Sequence, residues 1–144
     1  MKYPVKKMYD TQQERLKQEG YEVFAPEFFE EALLNFMSCL GDLYQVVYQK
    51  ANRKDVMLIY VKGFKAVLNV GISLQCQEDI SQPTLAESNL FFRNQLFKTY
   101  ECALSLRYAL KDHSFYAMFS SYLGLGQILN LNFDDVHYVY ENER

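Results

Sequence analysis

The stretch Pro26-Glu-Phe-Phe-Glu-Glu-Ala-Leu-Leu-Asn-Phe-Met-Ser-Cys-Leu-Gly-Asp-Leu-Tyr-Gln-Val-Val47 decides the fold class. Phe29, Leu33, Phe36, Leu40, Leu43 and Val47 recur at alternating steps of four and three, the spacing of one face of an α-helix. Pro26 suits a first helical turn, where its missing N–H has no intrahelical partner. Glu27, Glu30 and Glu31 put negative charge at the positive end of the helix dipole. Phe28, Leu34, Met37, Tyr44 and Val46 lie off the stripe, so the helix is apolar nearly all round. Neighbours on several sides are expected to cover it.

The same periodicity extends along the chain in both directions. Before it, a helix is expected from about Val5 to Glu19, ended by Gly20, with Met8, Tyr9 and Leu16 as a narrow packing stripe. Its polar middle predicts a peripheral position. After it, the polar hinge 49–54 leads to a helix from Asp55 to about Gln75, in which Lys62, Lys65, Asn69 and Ser73 form a polar stripe. Val56–Val61 has strand propensity, but a lone strand would find no partner. Residues 77–83 read as a loop. Thr84 and Glu87 form a capping box opening a long helix to about Leu110. A break at Lys111–His113 precedes a helix over 114–129, and Asn132, with Asp135 three residues on, caps a last one to Asn142. The expected architecture is all-α, a bundle of five or six helices in one domain, 1–144.

Composition narrows the function classes. The 15 basic and 18 acidic residues are mixed along the chain, and the clusters Lys2, Lys6, Lys7 and Lys50, Arg53, Lys54 are too small for a phosphate-binding stripe. Nucleic acid is therefore not the expected partner. Cys39, Cys76 and Cys102 lack disulfide or zinc spacing, which fits free thiols in a reducing cytoplasm. No signal-peptide pattern and no uninterrupted membrane-length apolar run are present. The expected location is cytoplasmic. With 12 tyrosines and 11 phenylalanines, the chain carries more apolar surface than one bundle of this size hides, so a homodimer with aromatic contacts is expected.

Few local motifs carry chemistry. Gly124-Leu-Gly126 falls inside an amphipathic helix with no strand before it, so close helix packing explains it better than phosphate binding. His113 and His137 have no partner at metal-ligand spacing. Glu27 and Glu31 share a helix face, which serves the dipole and is also a Mg²⁺-holding arrangement. Asp42 stands inside the most apolar element, where a carboxylate is expected to be paired or to face a cavity.

Four stretches resemble a known family. They are Tyr9-Asp-Thr-Gln-Gln-Glu; Leu40-Gly41-Asp42-Leu43; Tyr60-Val-Lys-Gly-Phe-Lys-Ala-Val-Leu-Asn-Val-Gly-Ile; and Phe119-Ser-Ser-Tyr-Leu-Gly-Leu-Gly-Gln-Ile-Leu-Asn-Leu-Asn-Phe-Asp-Asp-Val followed by Tyr140. In this order they resemble the all-α nucleoside triphosphate pyrophosphatases, in particular the dimeric dUTPase branch related to MazG. The resemblance implies hydrolysis to a monophosphate and pyrophosphate, with Mg²⁺ held by E-x-x-E on one helix and E-x-x-D on the next. The corresponding positions here are Cys39 and Asp42, then Ile59 and Lys62. One carboxylate of four is kept, and an ammonium stands where another would be. The chain also ends at Arg144, where active members continue with a nucleotide-contacting segment.

The resemblance thus implies a degenerate member, without a cofactor, acting as a dimeric regulatory or interaction module in a bacterial or phage setting. An ion pair between Asp42 and Lys62 is expected to replace the metal. Two alternatives stay open. One is a Mg²⁺-dependent pyrophosphatase with a shifted site of Glu27, Glu30, Glu31 and Asp42; the other binds a nucleotide without hydrolysing it.

Overall fold

The computed structural model describes residues 2–80, 84–86, 91–108 and 114–142. Among the described residues six α-helices follow one another: α1 (Lys6–Gln18), α2 (Pro26–Tyr48), α3 (Arg53–Ser73), α4 (Phe92–Tyr108), α5 (Ser114–Ile128) and α6 (Phe133–Asn142). A 3-10 turn, Gln77–Ile80, follows α3 where a loop was expected. The all-α expectation is met. The β structure among the described residues is one antiparallel pairing of β1 (Lys2–Tyr3) with β2 (Thr84–Leu85). Thr84 therefore does not open a helix, which corrects the capping-box reading, and α4 begins eight residues later at Phe92. Glu87, the other half of that box, lies outside the described residues, as does the expected break at 111–113.

Helix α3, not α2, takes the central position. It packs against α1, α2, α5 and α6. Eleven of its 21 residues are buried, distributed around its circumference. Small residues explain this. Gly63, Ala66 and Gly71 let neighbours approach the α3 backbone, and a Cβ at Gly71 would sit 2.5 Å from Phe115 Cζ. By contrast, α2 buries Ala32, Leu33, Phe36, Cys39, Leu40 and Leu43 while Leu34 and Tyr48 stand in solvent. The expected all-round cover of α2 is absent on that side. Helix α3 is also the one helix among the described residues long and apolar enough to cross a membrane, and 61% of that stretch is buried inside the bundle. Its hydropathy is that of a central helix.

At the junction of α3 with α5 the two helices approach closely. The Tyr60 and Tyr122 rings stack at 4.6 Å between centroids, 3° from parallel. Tyr60 Oη donates to the Tyr122 carbonyl at 3.0 Å, and Tyr122 Oη donates back to the Tyr60 carbonyl at 2.6 Å. Each ring lies over a glycine of the opposite helix. A Cβ at Gly126 would lie 2.6 Å from Tyr60 Oη, and one at Gly63 would collide with Tyr122 Oη. Close approach thus accounts for Gly126, as the sequence reading expected.

Helix α1 is held more firmly than its polar middle predicts. Met8, Tyr9 and Leu16 are buried, and Gln12 donates to Asn69 of the α3 polar stripe at 2.9 Å. Tyr140 of α6 donates to Gln12 Oε1 at 2.9 Å and lies under the Arg15 guanidinium, 4.7 Å from its ring centroid. Asn69 of the α3 polar stripe is thereby satisfied by α1, and Lys65 of the same stripe lies 5.9 Å from the centroid of the Tyr140 ring.

Helix ends follow two patterns. Asn52 and Asn132 cap α3 and α6, their Oδ1 atoms accepting from the Asp55 N–H at 2.9 Å and the Asp134 N–H at 2.7 Å. Four helices close with a left-handed residue and a backbone bond spanning five residues, at Gly20, Lys50, Gln75 and Asn130. Only the first of these is glycine.

Two expected outcomes follow from the buried tyrosines. Gly126→Ala should lower unfolding free energy in urea by about 1–3 kcal/mol, the cost of overpacking a close contact. Burial pushes Tyr60 and Tyr122 above the ordinary 10.0, with the neighbouring Tyr3 and Tyr60 phenols adding to it respectively, and pushes the Cys76 thiol up to about 12. Folding favours the neutral form of each. Its contribution is complete below the ordinary values of 9.0 and 10.0 and is lost as pH rises through them toward the folded-state values. In an alkaline titration, tyrosinate absorbance from this set should therefore appear together with loss of helical circular dichroism.

Candidate functional site

The four positions of the resemblance lie where α2 passes α3. Cys39 is buried, Ile59 is half-buried, and Asp42 and Lys62 are both exposed. No ion pair joins Asp42 to Lys62. The expected buried pair does not form. The reason is what fills the contact: Cys39 Cβ packs 3.3 Å from the Cβ position of Gly63, and the Tyr122 ring closes the space beside them against Phe36 at 5.1 Å. The charged side chains are left at the outer edge of the seam. Burial raises the Cys39 thiol, Lys62 opposes that shift, and Asp42 adds to it.

The alternative metal set does not assemble either. Glu27, Glu30, Glu31 and Asp42 are all exposed on α2. Glu27 and Asp42 are separated by about 22 Å along the axis at the helical rise of 1.5 Å per residue, far beyond one ion's reach. Glu30 instead lies 3.9 Å from the Arg107 guanidinium of α4. Among the described residues, no three His, Cys, Asp or Glu side chains come together as an ion site. His137 pairs with Glu141 one turn on at 3.1 Å, and His113 lies outside the described residues.

A different feature dominates the surface. Helices α2 and α4 run antiparallel, Tyr44 and Gln45 beside Arg93 and Leu96 at one end, Glu30 beside Arg107 at the other. Between them lies a groove of about 450 Å³ with Gly41 in its floor and Tyr44, Phe97 and Tyr100 on its walls. Tyr100 is fixed by donating to the Met37 carbonyl at 3.1 Å, and burial with the nearby Asp42 carboxylate raises its hydroxyl pKa. Arg93 also borders two further hollows, one beside Tyr48 and Phe92, the other beside Phe91 and Phe97. Leu34, Tyr48, Phe91, Phe97, Leu104 and Tyr108 are between 48% and 85% exposed.

The sequence held a signal for this face. Leu34, Gly41 and Tyr48 are seven residues apart, as are Phe97 and Leu104, which marks a second helical seam beside the core stripe. In α2 that seam reads as general apolarity because it adjoins the core positions; its separate direction becomes visible only once α3 and α4 are in place.

Comparison with protein-family models, curated proteins and solved structures finds no match for this chain.

With both charges in solvent, Lys62→Met and Asp42→Leu should each change stability by less than about 0.5 kcal/mol. Urea unfolding of the two single variants and the double variant should give additive effects. A coupling above about 1 kcal/mol would place the pair in contact after all.

Proposed function

We propose that this chain is a catalytically degenerate relative of the dimeric dUTPase-like proteins, working through protein–protein contact as a dimeric regulatory or interaction module. The observation that carries the reading is the exposed aromatic face of α2 and α4. The six side chains named above offer on the order of 800 Å² of surface, from the ordinary 150–250 Å² of an aromatic side chain. A typical monomer's largest apolar patch is roughly 300–600 Å². The loss of chemistry draws on the α2/α3 seam, where Cys39, Gly63 and Tyr122 fill the space between the helices and one exposed carboxylate, Asp42, stands alone of the four.

A second reading, a nucleotide binder that does not hydrolyse, draws on the α2/α4 groove. Its volume lies within the ordinary range for small-ligand sites, its aromatic walls suit a planar base, and Arg93 supplies a cation at its mouth. The groove is lined mostly by hydrocarbon, which favours a protein surface over a phosphorylated ligand.

Pyrophosphate release from dUTP and the common nucleoside triphosphates with Mg²⁺ should stay below about 0.1 per second, slow for an enzyme. Turnover above that rate, abolished by Asp42→Asn, would return the chain to the enzymes. Millimolar nucleotide should leave the melting temperature unchanged; a ligand at 100 times its Kd would stabilise the protein by about 2.7 kcal/mol.

A further inference from the structure

We infer that the groove between α2 and α4 is a binding site for a small aromatic monocarboxylate, its carboxylate on Arg93 and Gln45 and its ring over Gly41 between Tyr44 and Phe97. The site stands whether or not the surrounding face also meets a protein. Its ligand class also differs from the nucleotide reading. A nucleoside triphosphate carries several charges, whereas Arg93 is the one charged side chain among the groove's described lining residues.

The first argument is the floor. Glycine weakens a helix interior relative to alanine. At Gly63, Gly71 and Gly126 packing explains it, because an added Cβ would collide with Tyr122, Phe115 or Tyr60. At Gly41 the atom nearest an added Cβ is Tyr100 Oη at 3.4 Å, an ordinary contact, so the core makes no demand for glycine there. The missing side chain instead deepens the groove, whose volume of about 450 Å³ holds a ring and a short chain. Two walls are set before any ligand arrives. Tyr44 is stacked on Tyr48 at 5.8 Å between centroids, and Tyr100 is tied to the Met37 carbonyl at 3.1 Å. Such walls favour an aromatic occupant through offset or edge contacts.

The second argument is charge. The side chains of Arg93 and Gln45, neighbours at one end of the groove, form no hydrogen bond or ion pair with another described residue. A guanidinium fork and an amide N–H together suit the two oxygens of one carboxylate. Arg107, the other arginine of α4, is engaged by Glu30 at 3.9 Å and lies two turns beyond Tyr100. Lys98 does not line the groove. Asp42 follows Gly41 and Glu101 follows Tyr100, so carboxylates flank the Tyr100 end without lining it. They oppose an anion there and leave Arg93 as its place. With a net charge of −3 the chain as a whole does not attract anions, so recognition is local.

Length sets the spacer between ring and carboxylate. From Arg93 to Tyr100 the axis of α4 advances about 10 Å at 1.5 Å per residue. A ring joined to a carboxylate through roughly two or three methylenes spans most of that distance. The Tyr100 hydroxyl already donates its hydrogen to the Met37 carbonyl and therefore only accepts. The inner end thus suits hydrocarbon or a ligand hydroxyl, and not a second carboxylate.

The probe is 4-phenylbutanoate, titrated into the isotope-labelled full chain and followed by amide NMR shifts. It should bind saturably with a Kd of about 1 mM or below, moving the signals of Gly41 and Leu96. The neutral 4-phenylbutanamide, and butanoate without the ring, should each bind at least about tenfold more weakly. Arg93→Gln should erase the preference for acid over amide while leaving amide affinity unchanged. Gly41→Leu, which fills the floor, should weaken acid and amide alike by at least about tenfold. Leucine is the better helix former, so circular dichroism should show this variant folded, with a urea midpoint no lower than that of the wild type. Should it unfold, Phe97→Ala removes an exposed wall instead and should weaken both probes by about fivefold. No saturation up to about 10 mM, an amide that binds as well as the acid, an Arg93→Gln chain that still prefers the acid, or a folded floor or wall variant that binds undiminished would each overturn the inference.

Discussion

The reciprocal contact between Tyr60 and Tyr122 sets the geometry on which the rest of the bundle depends. Two buried phenols are costly to desolvate unless their hydroxyls find acceptors. Here each hydroxyl uses the backbone carbonyl beside the other ring, so the rings must stack and the helices must come close enough for the reach. Glycine at 63 and 126 makes that approach possible. Each glycine costs a helix about 1 kcal/mol in propensity, an amount that one buried hydrogen bond and part of a ring contact offset.

Once α3 and α5 are locked at this distance, the neighbouring positions have little freedom. Phe36 of α2 meets the edge of Tyr122, and Phe64 meets the edge of Phe119. Cys39 is brought onto Gly63, which closes the seam where the resemblance places metal-binding carboxylates. On the other side of α5, the Gln95 amide donates to the Ser121 carbonyl at 2.9 Å, and the Thr99 and Ser121 hydroxyls bond at 2.7 Å. Helix α4 is thus fixed by a buried polar set, and its outer face is left to solvent. The closed inner seam and the open outer face are two consequences of one packing solution.

Legibility in the sequence tracked how local the cause was. Helices α2 and α5 were found close to their limits, as was the end at Gly20, where a left-handed residue is least costly in glycine. The ends at Lys50 and Gln75 carry the same backbone turn on residues that do not announce it, whereas Asn130 is of the one type besides glycine that commonly takes this position. Thr84 and Glu87 have the spacing of a capping box, yet Thr84 pairs with β1, more than eighty residues away in the chain. A local rule was overridden there by a partner the local window does not contain. The candidate site fared similarly. Position by position, Cys39, Asp42, Ile59 and Lys62 were placed on adjoining helices, but charge alone made the Asp42–Lys62 pair look buried.

What the sequence determined by itself was the all-α class, the order of the helices, the cap of α6 at Asn132, the first-turn proline of α2 at Pro26, and the core stripe of α2, because each rests on interactions within about one or two helical turns. What only the tertiary structure decided was which helix lies at the centre, which side of α2 meets solvent, and whether the charges of the α2/α3 seam are inside or out. Those answers depend on interhelical distance, and that distance is set by contacts such as Tyr60 on Gly126 and Tyr122 on Gly63, whose partners are about sixty residues apart along the chain. No periodicity in a single helix encodes how near its neighbour will stand.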